Sequence, residues 1–200
     1  MGRPWNGWCH CIGTTYGTWA HGDARGFRTR HHRRHIEGDY RNPPPAGAYE
    51  GLRKHAERSM SHGAVVLTPG QQSVVCDALV ERLLEDNVEL VALCVAPAHF
   101  HALCRFPNWA DPNAHIPGLR AVNSLKDGRD PVPRHLLGRA KKNAAHVLAQ
   151  RRMKDAPGPL WAKRLKIEPV VDRRHQLAIV RYIKAHGDRG AIVWVLNHRE

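Results

Sequence analysis

The sequence predicts an α+β domain in which an antiparallel sheet is covered on one face by two helices. Segments rich in β-forming residues and segments with helical periodicity follow one another as strand, helix, strand, strand, helix and a final helix. The two central strand segments are separated only by Ala96-Pro97-Ala98, which indicates a hairpin. The 200 residues, 42% of them hydrophobic, suffice for one well-packed domain over residues 1–200. The uncovered face of the sheet is left for chemistry.

The first half of the chain contains one strand, a long polar insertion and one helix. Trp8–Tyr16 is rich in β-forming residues and predicts the first strand. A loop-rich insertion follows at about residues 20–63, with a basic run and three consecutive prolines. Thr68-Pro69-Gly70-Gln71 then predicts a helix start with an N-cap, a proline at the first helical position and a capping-box glutamine. Apolar residues at helical spacing extend this helix to about Asp86.

The second half supplies the remaining elements. Asp172 stands where the N-cap of the last helix belongs. The predicted order is a strand over 88–95, a strand over 99–106, a loop over 107–133, a basic amphipathic helix over 135–153, a short strand within 160–171, a helix over about 173–186 and a closing strand or tail over 192–196.

The charge balance favours a polyanionic partner. Lys and Arg total 31 against 18 acidic residues, a formal net charge of +13 with all 15 histidines neutral. Nucleic acid is favoured over a membrane surface, because no segment approaches the length of an apolar span. The N-terminus lacks a secretory signal, so we expect a cytoplasmic protein with reduced cysteines. For Cys9 and Cys11, burial on a strand is favoured over a metal site.

Five cationic side chains are candidate contacts to DNA. One lies in the second hairpin strand and four lie on the basic amphipathic helix: Arg105, Lys141, Lys142, Arg151 and Arg152. A plain solvated helix face is the competing interpretation. Trp161 could stack on a base, although burial is favoured, and the segment Trp19–Asp23 has no chemical role that its spacing assigns.

Two histidines and a tyrosine carry the candidate chemistry. His99 and His101 are two residues apart in a predicted strand, so both side chains project from the same face. Paired imidazoles suit a divalent transition metal, and a third ligand from elsewhere could complete an open site. Tyr182 and His186 are four residues apart and stack on one side of the last helix. They could be a core tyrosine and a helix cap, or both could reach over the histidine pair.

The sequence resembles a known family, the HUH single-strand transposases, and especially the REP-associated tyrosine transposases. The resemblance covers most of the chain, and its matching segments occur in the same order and spacing. They are Tyr16–Gly26, Val91–Phe106 with Pro97-Ala98-His99-Phe100-His101, and Leu160-Trp161 leading to Arg181-Tyr182-Ile183.

The resemblance implies a ferredoxin-like (RRM-like) antiparallel sheet with helices on one face and a catalytic helix at the C-terminus. It implies His99 and His101 as ligands of Mg²⁺ or Mn²⁺ and Tyr182 as the nucleophile. Such enzymes cut single-stranded DNA and keep the 5′ phosphate on the tyrosine. His186 stands where these transposases usually have Gln or Asn. Related relaxases use a third imidazole, so His186 is expected as a third ligand that shifts the preference toward Mn²⁺ and other nitrogen-binding ions.

Three functions remain in view. The first is a transposase or endonuclease that cleaves and rejoins single-stranded or hairpin DNA. The second is a domesticated nucleic-acid-binding protein that no longer cuts, and the third is a hydrolase that acts through a metal-bound water without Tyr182. The joint presence of Tyr182 and the three histidines favours the first. The sequence leaves open whether the protein is a monomer or a homodimer.

Overall fold

The computed structural model describes residues 4–23, 27–28, 35–36, 45, 47–107, 132–154 and 157–196. The helices are α1 (Glu50–Arg58), α2 (Pro69–Glu85), α3 (Val132–Gln150) and α4 (Arg173–Lys184). The strands are β1 (Trp8–Thr15), β2 (Phe27–Arg28), β3 (His35–Ile36), β4 (Glu89–Ala96), β5 (His99–Arg105), β6 (Trp161–Pro169) and β7 (Ile192–Val195).

Five strands form one antiparallel sheet in the order β6-β1-β5-β4-β7. Without the β2, β3 and α1 elements of the insertion and without α4 and β7 at the C-terminal end, the chain runs β1-α2-β4-β5-α3-β6, which is the βαββαβ pattern of a ferredoxin-like unit. The predicted fold class is therefore confirmed. The expected closing strand or tail is a strand, β7, and it pairs with β4 at the edge of the sheet. Strands β2 and β3 form a separate two-stranded sheet.

The main core lies between the sheet and the helices α2 and α3. Phe100, Ala102 and Cys104 of β5 point into this core, as the alternation of strand side chains requires. Gly13 of β1 makes room for the buried Phe100 ring, because a Cβ at Gly13 would lie 2.2 Å from its Cε1 atom. Cys11 is fully buried in the same cluster, in agreement with the structural role expected for the β1 cysteines.

The opposite face of the sheet is covered by α4. Ile179 and Ile183 of this helix pack in a smaller apolar cluster with Cys94 of β4 and Leu103 of β5. Leu103 alternates with Phe100 and Ala102 and therefore belongs to the face that carries His99 and His101. The last helix and the histidine pair thus share one face, while α2 and α3 occupy the other.

Both predicted N-caps are confirmed. The Thr68 hydroxyl accepts a hydrogen bond from the Gln71 amide, and the Thr68 amide donates to Gln71 Oε1 at 2.8 Å, which completes the capping box of α2. The Asp172 carboxylate accepts a hydrogen bond from the His175 amide at 2.6 Å and caps α4.

Several boundaries differ from the prediction. Helix α3 begins at Val132, three residues before the predicted start, and β6 spans nine residues where a short strand was expected. The insertion at 20–63 contains α1 and the β2–β3 pair. Most of the loop expected over 107–133 lies outside the described residues.

The segment Trp19–Asp23 ends in a turn that packs on α1. Gly22 has φ +88°, and a Cβ there would lie 2.5 Å from the Arg53 amide nitrogen. This close approach favours a structural role for the segment. Among the described helices, none is long and apolar enough to cross a membrane.

Candidate metal centre

Three histidines converge on the face of the sheet that carries α4. The candidate ligand nitrogens of His99, His101 and His186 all lie within 4.8 Å of one another. His101 and His186 are buried, whereas His99 is half-buried. The expectation that the two strand histidines project from one face is confirmed, and the third ring joins them from the end of α4.

The end of α4 fixes the orientation of the His186 ring. Ile183 is fully buried and anchors the last turn, and the His186 amide donates to the Ile183 carbonyl at 3.2 Å. The side-chain Nδ1 of His186 donates a hydrogen bond to the Tyr182 carbonyl at 2.9 Å. A carbonyl oxygen only accepts, so Nδ1 carries the proton and the neutral ring keeps its lone pair on Nε2.

Tyr182 stands against the histidine cluster. Its ring meets the His186 ring edge-on at a centroid distance of 4.6 Å and the His101 ring at 5.1 Å. The residue is 47% exposed, so the phenol lies beside the buried cluster and remains accessible to a large substrate. The sequence also left open a tyrosine at the edge of the core with its hydroxyl in water, and this exposure fits that role as well as a reactive one.

A fourth histidine at this site is missed by the sequence analysis. His10 of β1 is buried, and its Nε2 lies 3.0 Å from Nδ1 of His101. The two rings stack at a centroid distance of 5.1 Å. Strand alternation alone assigns His10 to the face opposite Cys9 and Cys11. Its proximity to His101 depends on the pairing of β1 with β5, which the sequence does not reveal.

Burial keeps the two stacked rings neutral. Desolvation, aided by the neighbouring histidines and Lys166, lowers the pKa of His101 to about 2. Desolvation also lowers the pKa of His10 to about 4, although the Glu168 carboxylate opposes this change. Metal ligation requires the neutral imidazole. Burial therefore keeps His101 in the form that can bind a metal ion at neutral pH.

The donor set fits a divalent metal ion. Three imidazoles meet at one point, and His186 has its Nε2 lone pair available. An all-nitrogen set suits transition-metal ions better than Mg²⁺, which prefers oxygen ligands. The residues present therefore fit a divalent transition metal with an open side for a substrate oxygen.

Lys141 corrects one expectation about the basic helix. It is buried, and its ammonium donates to the Ala162 carbonyl at 2.7 Å. The Trp161 indole nitrogen donates to the Lys141 carbonyl at 2.9 Å, and Trp161 is buried as expected. Burial lowers the pKa of Lys141 to about 8. Lys141 therefore links α3 to β6 through a hydrogen bond and does not belong to the exposed basic surface.

The other predicted DNA contacts are exposed or partly exposed but lie away from the histidines. Lys142, Arg151 and Arg152 are exposed on or just after α3, behind the sheet. Arg105 lies at the far end of β5, where its Nε donates to Glu89 Oε1 at 2.7 Å and its guanidinium stands 5.3 Å from the centre of the Trp8 ring. Among the described residues, Lys166 of β6 is a cation close to the cluster, and the sequence analysis did not select it.

Comparisons with known proteins give one structural match. The chain is similar to the solved structure of a REP-associated tyrosine transposase bound to a REP hairpin, with 10% sequence identity and a TM-score of 0.46. The alignment covers 94% of this chain and 71% of that chain. That protein belongs to the family that the sequence motifs resemble. A scan against models of protein families finds no match, and neither does a search of curated proteins.

Proposed function

We propose that this protein is a metal-dependent transposase or endonuclease that cleaves and rejoins single-stranded DNA through Tyr182. The observation that carries the proposal is the position of a half-exposed tyrosine ring directly against a cluster of three histidines. A partly exposed phenol beside a candidate metal-binding cluster is accessible to the phosphate of a DNA substrate. It is suited to attack a phosphate that the same cluster helps to hold.

The proposed ligands are His99, His101 and His186. A divalent ion bound there would supply positive charge to the non-bridging oxygens of the scissile phosphate. The chain itself fixes the geometry, because Tyr182 lies in the last turn of α4, His186 directly follows that helix, and His99 and His101 belong to one strand. Nucleophile and ligands are thereby held by two rigid elements before substrate arrives.

The reaction is a transesterification at phosphorus. The Tyr182 oxygen forms a bond to phosphorus as its phenolic proton is lost to solvent, and the bond from phosphorus to the 3′ oxygen breaks. The leaving strand takes up a proton and ends in a 3′ hydroxyl, while the other strand remains on Tyr182 as a 5′ phosphotyrosine. Attack by a 3′ hydroxyl reverses the step. The covalent ester conserves the bond energy, so rejoining requires no nucleotide cofactor.

The proposed partner is single-stranded or hairpin DNA. The net charge of +13 favours a polyanion, and Lys166 places one cation close to the histidines. Arg105, Lys142, Arg151 and Arg152 are proposed as contacts to more distant parts of a folded DNA. All four residues of the proposed centre come from one chain, so a homodimer is not needed to complete it.

The decisive experiment follows the covalent product. A pool of single-stranded oligonucleotides that carry hairpins, labelled at the 3′ end, is incubated with protein and Mn²⁺ or Mg²⁺ and run on a denaturing protein gel. The wild type should give a labelled adduct that EDTA prevents, and Tyr182→Phe should abolish it. Tyr16→Phe is the matched control, because it removes a hydroxyl that hydrogen bonds Ser61 away from the cluster and should retain the adduct.

Each alternative result would support a different function for this protein. Cleavage without an adduct would assign the cut to a metal-bound water and contradict the proposal. Tight DNA binding by the wild type without cleavage in any tested metal would support the domesticated binding protein. An adduct that persists in Tyr182→Phe would show that another tyrosine is the nucleophile.

A further inference from the structure

The proposed reaction leaves unused a chain of polar side chains behind His101. His10 Nε2 lies 3.0 Å from His101 Nδ1, and His10 Nδ1 lies 3.9 Å from Glu168 Oε2. The second oxygen of Glu168 is paired with the Lys166 ammonium at 2.7 Å. The chain crosses three adjacent strands, β5, β1 and β6, and ends at the partly exposed Glu168.

The strand register places these residues together. His10 and Glu168 are direct Cα partners in the pairing of β1 with β6. On the other side of β1, His101 is the partner of Ile12, so His10 is its diagonal neighbour on the same face. His10 and His101 are 9% and 5% exposed, and an unsatisfied ring nitrogen at this depth would be costly. The contact between His10 and His101 therefore follows from the pairing of β1 with β5.

The positions of the protons follow from these contacts. Nδ1 of His101 is engaged with His10, so Nε2 is the nitrogen left to bind a metal. A neutral ring that offers Nε2 must carry its proton on Nδ1 and donate it to His10. Nε2 of His10 then accepts, so the His10 proton sits on Nδ1, on the side of the Glu168 carboxylate. This assignment satisfies the contact between the two rings and turns the His10 proton toward the Glu168 carboxylate, whose Oε2 lies beyond hydrogen-bond distance.

We propose that His10 is a positioning residue that holds His101 in the Nδ1-protonated tautomer and in the ring orientation that presents Nε2 to the metal. The Glu168 carboxylate, 3.9 Å from His10 Nδ1, electrostatically favours the proton on that nitrogen. This inference rests on the metal centre of the proposed function and extends it to two residues that bind neither metal nor DNA. Hydrogen-bond partners behind a ligand histidine commonly fix its tautomer and raise its affinity for the metal.

The first test reads the tautomer without metal or DNA. Long-range ¹H–¹⁵N correlation spectra of the ¹⁵N-labelled, metal-free protein distinguish protonated from unprotonated ring nitrogens. His101 should carry its proton on Nδ1 in the wild type and lose this preference in His10→Leu. His10→Gln should restore it, because the glutamine side-chain oxygen can accept the same hydrogen bond. A wild-type His101 protonated on Nε2 would overturn the proposal.

The second test measures Mn²⁺ affinity by calorimetry. His10→Leu should bind the ion about 10- to 100-fold more weakly than the wild type, while His10→Gln should recover most of the loss. Equal weakening in both variants would indicate a space-filling role, and unchanged affinity in His10→Leu would likewise contradict the inference. Thermal unfolding of each variant checks that the fold is kept.

The two proposals fail in different ways. A wild type that binds no divalent metal removes the proposed reaction, yet the tautomer of His101 is still read in the metal-free protein. A wild type that binds metal and forms the Tyr182 adduct, with His10→Leu equal to it in affinity and tautomer, removes only the role of His10.

Discussion

At the scale of single residues, burial keeps water away from the His10 and His101 rings of the histidine centre. Desolvation penalises the charged imidazolium, so His10 and His101 remain neutral where an exposed histidine would begin to protonate. The same burial that prepares His101 for a metal makes the fold sensitive to acid.

We predict that the metal-free protein loses stability as the pH falls below about 6.5. The folded-state pKa values of His10 and His101, about 4 and about 2, lie below the ordinary value of 6.5, so the unfolded chain binds more protons in acid. Their stabilising effect is fully present above pH 6.5 and is lost as the pH falls toward 4 and below. Each ring makes the free energy of unfolding change by at most about 1.4 kcal/mol per pH unit.

Urea denaturation in EDTA at pH 7.5, 6 and 5 measures this slope. His10→Gln should flatten it, because one of the two neutral rings is gone. His146→Gln, on the exposed surface of α3, should leave it as in the wild type. A free energy of unfolding that does not change over this range would contradict the prediction.

At the scale of elements, α4 is the part of the fold on which the proposed chemistry depends. It carries Tyr182 and leads directly into His186, and the buried Ile179 and Ile183 attach it to the sheet. Its first turn is held by Asp172, whose carboxylate satisfies the amide of His175. Weakening this cap should loosen the element that positions both the proposed nucleophile and the proposed ligand.

We predict that Asp172→Ala lowers the free energy of unfolding by about 0.5–2 kcal/mol and also weakens Mn²⁺ binding. Thr68→Ala is the matched control, because it removes the N-cap of α2 on the opposite face of the sheet. It should cost a similar amount of stability and leave Mn²⁺ affinity unchanged. Urea denaturation and calorimetry give the two readouts. Equal effects of both variants on the metal would show that α4 has no special role.

At the scale of the whole molecule, the sheet separates the proposed centre from the exposed cations of α3. The proposed centre, with Lys166 nearby, lies on the α4 face, and the exposed cations of α3 lie on the other. A DNA that touches both must pass around the edge of the domain. The α3 cations should therefore strengthen binding without taking part in the cut.

We predict that hairpin DNA binding weakens steeply with salt, because Lys and Arg side chains that neutralise phosphates release counterions. The double variant Lys142→Gln, Arg151→Gln should reduce the slope of log K against log salt by up to about 2, roughly one for each phosphate that is no longer neutralised. Its adduct yield at saturating DNA should equal that of the wild type. Lys141→Met, which alters a buried neighbour, should keep the wild-type slope. Fluorescence anisotropy at several salt concentrations measures it, and a double variant with an unchanged slope would contradict the prediction.

Local periodicity determined much of this protein from the sequence alone. The two-residue spacing of His99 and His101 and the four-residue spacing of Tyr182 and His186 place each pair on one side of its element, whatever the rest of the fold does. The helix starts at Thr68 and Asp172 were predictable for the same reason, since a cap is satisfied within its own first turn.

Only the tertiary structure decided which of these local features meet. His10 and Glu168 join the histidine centre because β1 lies between β5 and β6, and strand order depends on contacts between residues far apart in sequence. Lys141 is buried although its neighbour Lys142 is exposed, because the packing of α3 against β6 places the Lys141 ammonium at the Ala162 carbonyl. The spacing of residues along the chain determines which side of its own helix or strand a side chain points to. Whether that side chain is buried, and which residues it contacts, depends on the neighbouring element that packs on that side.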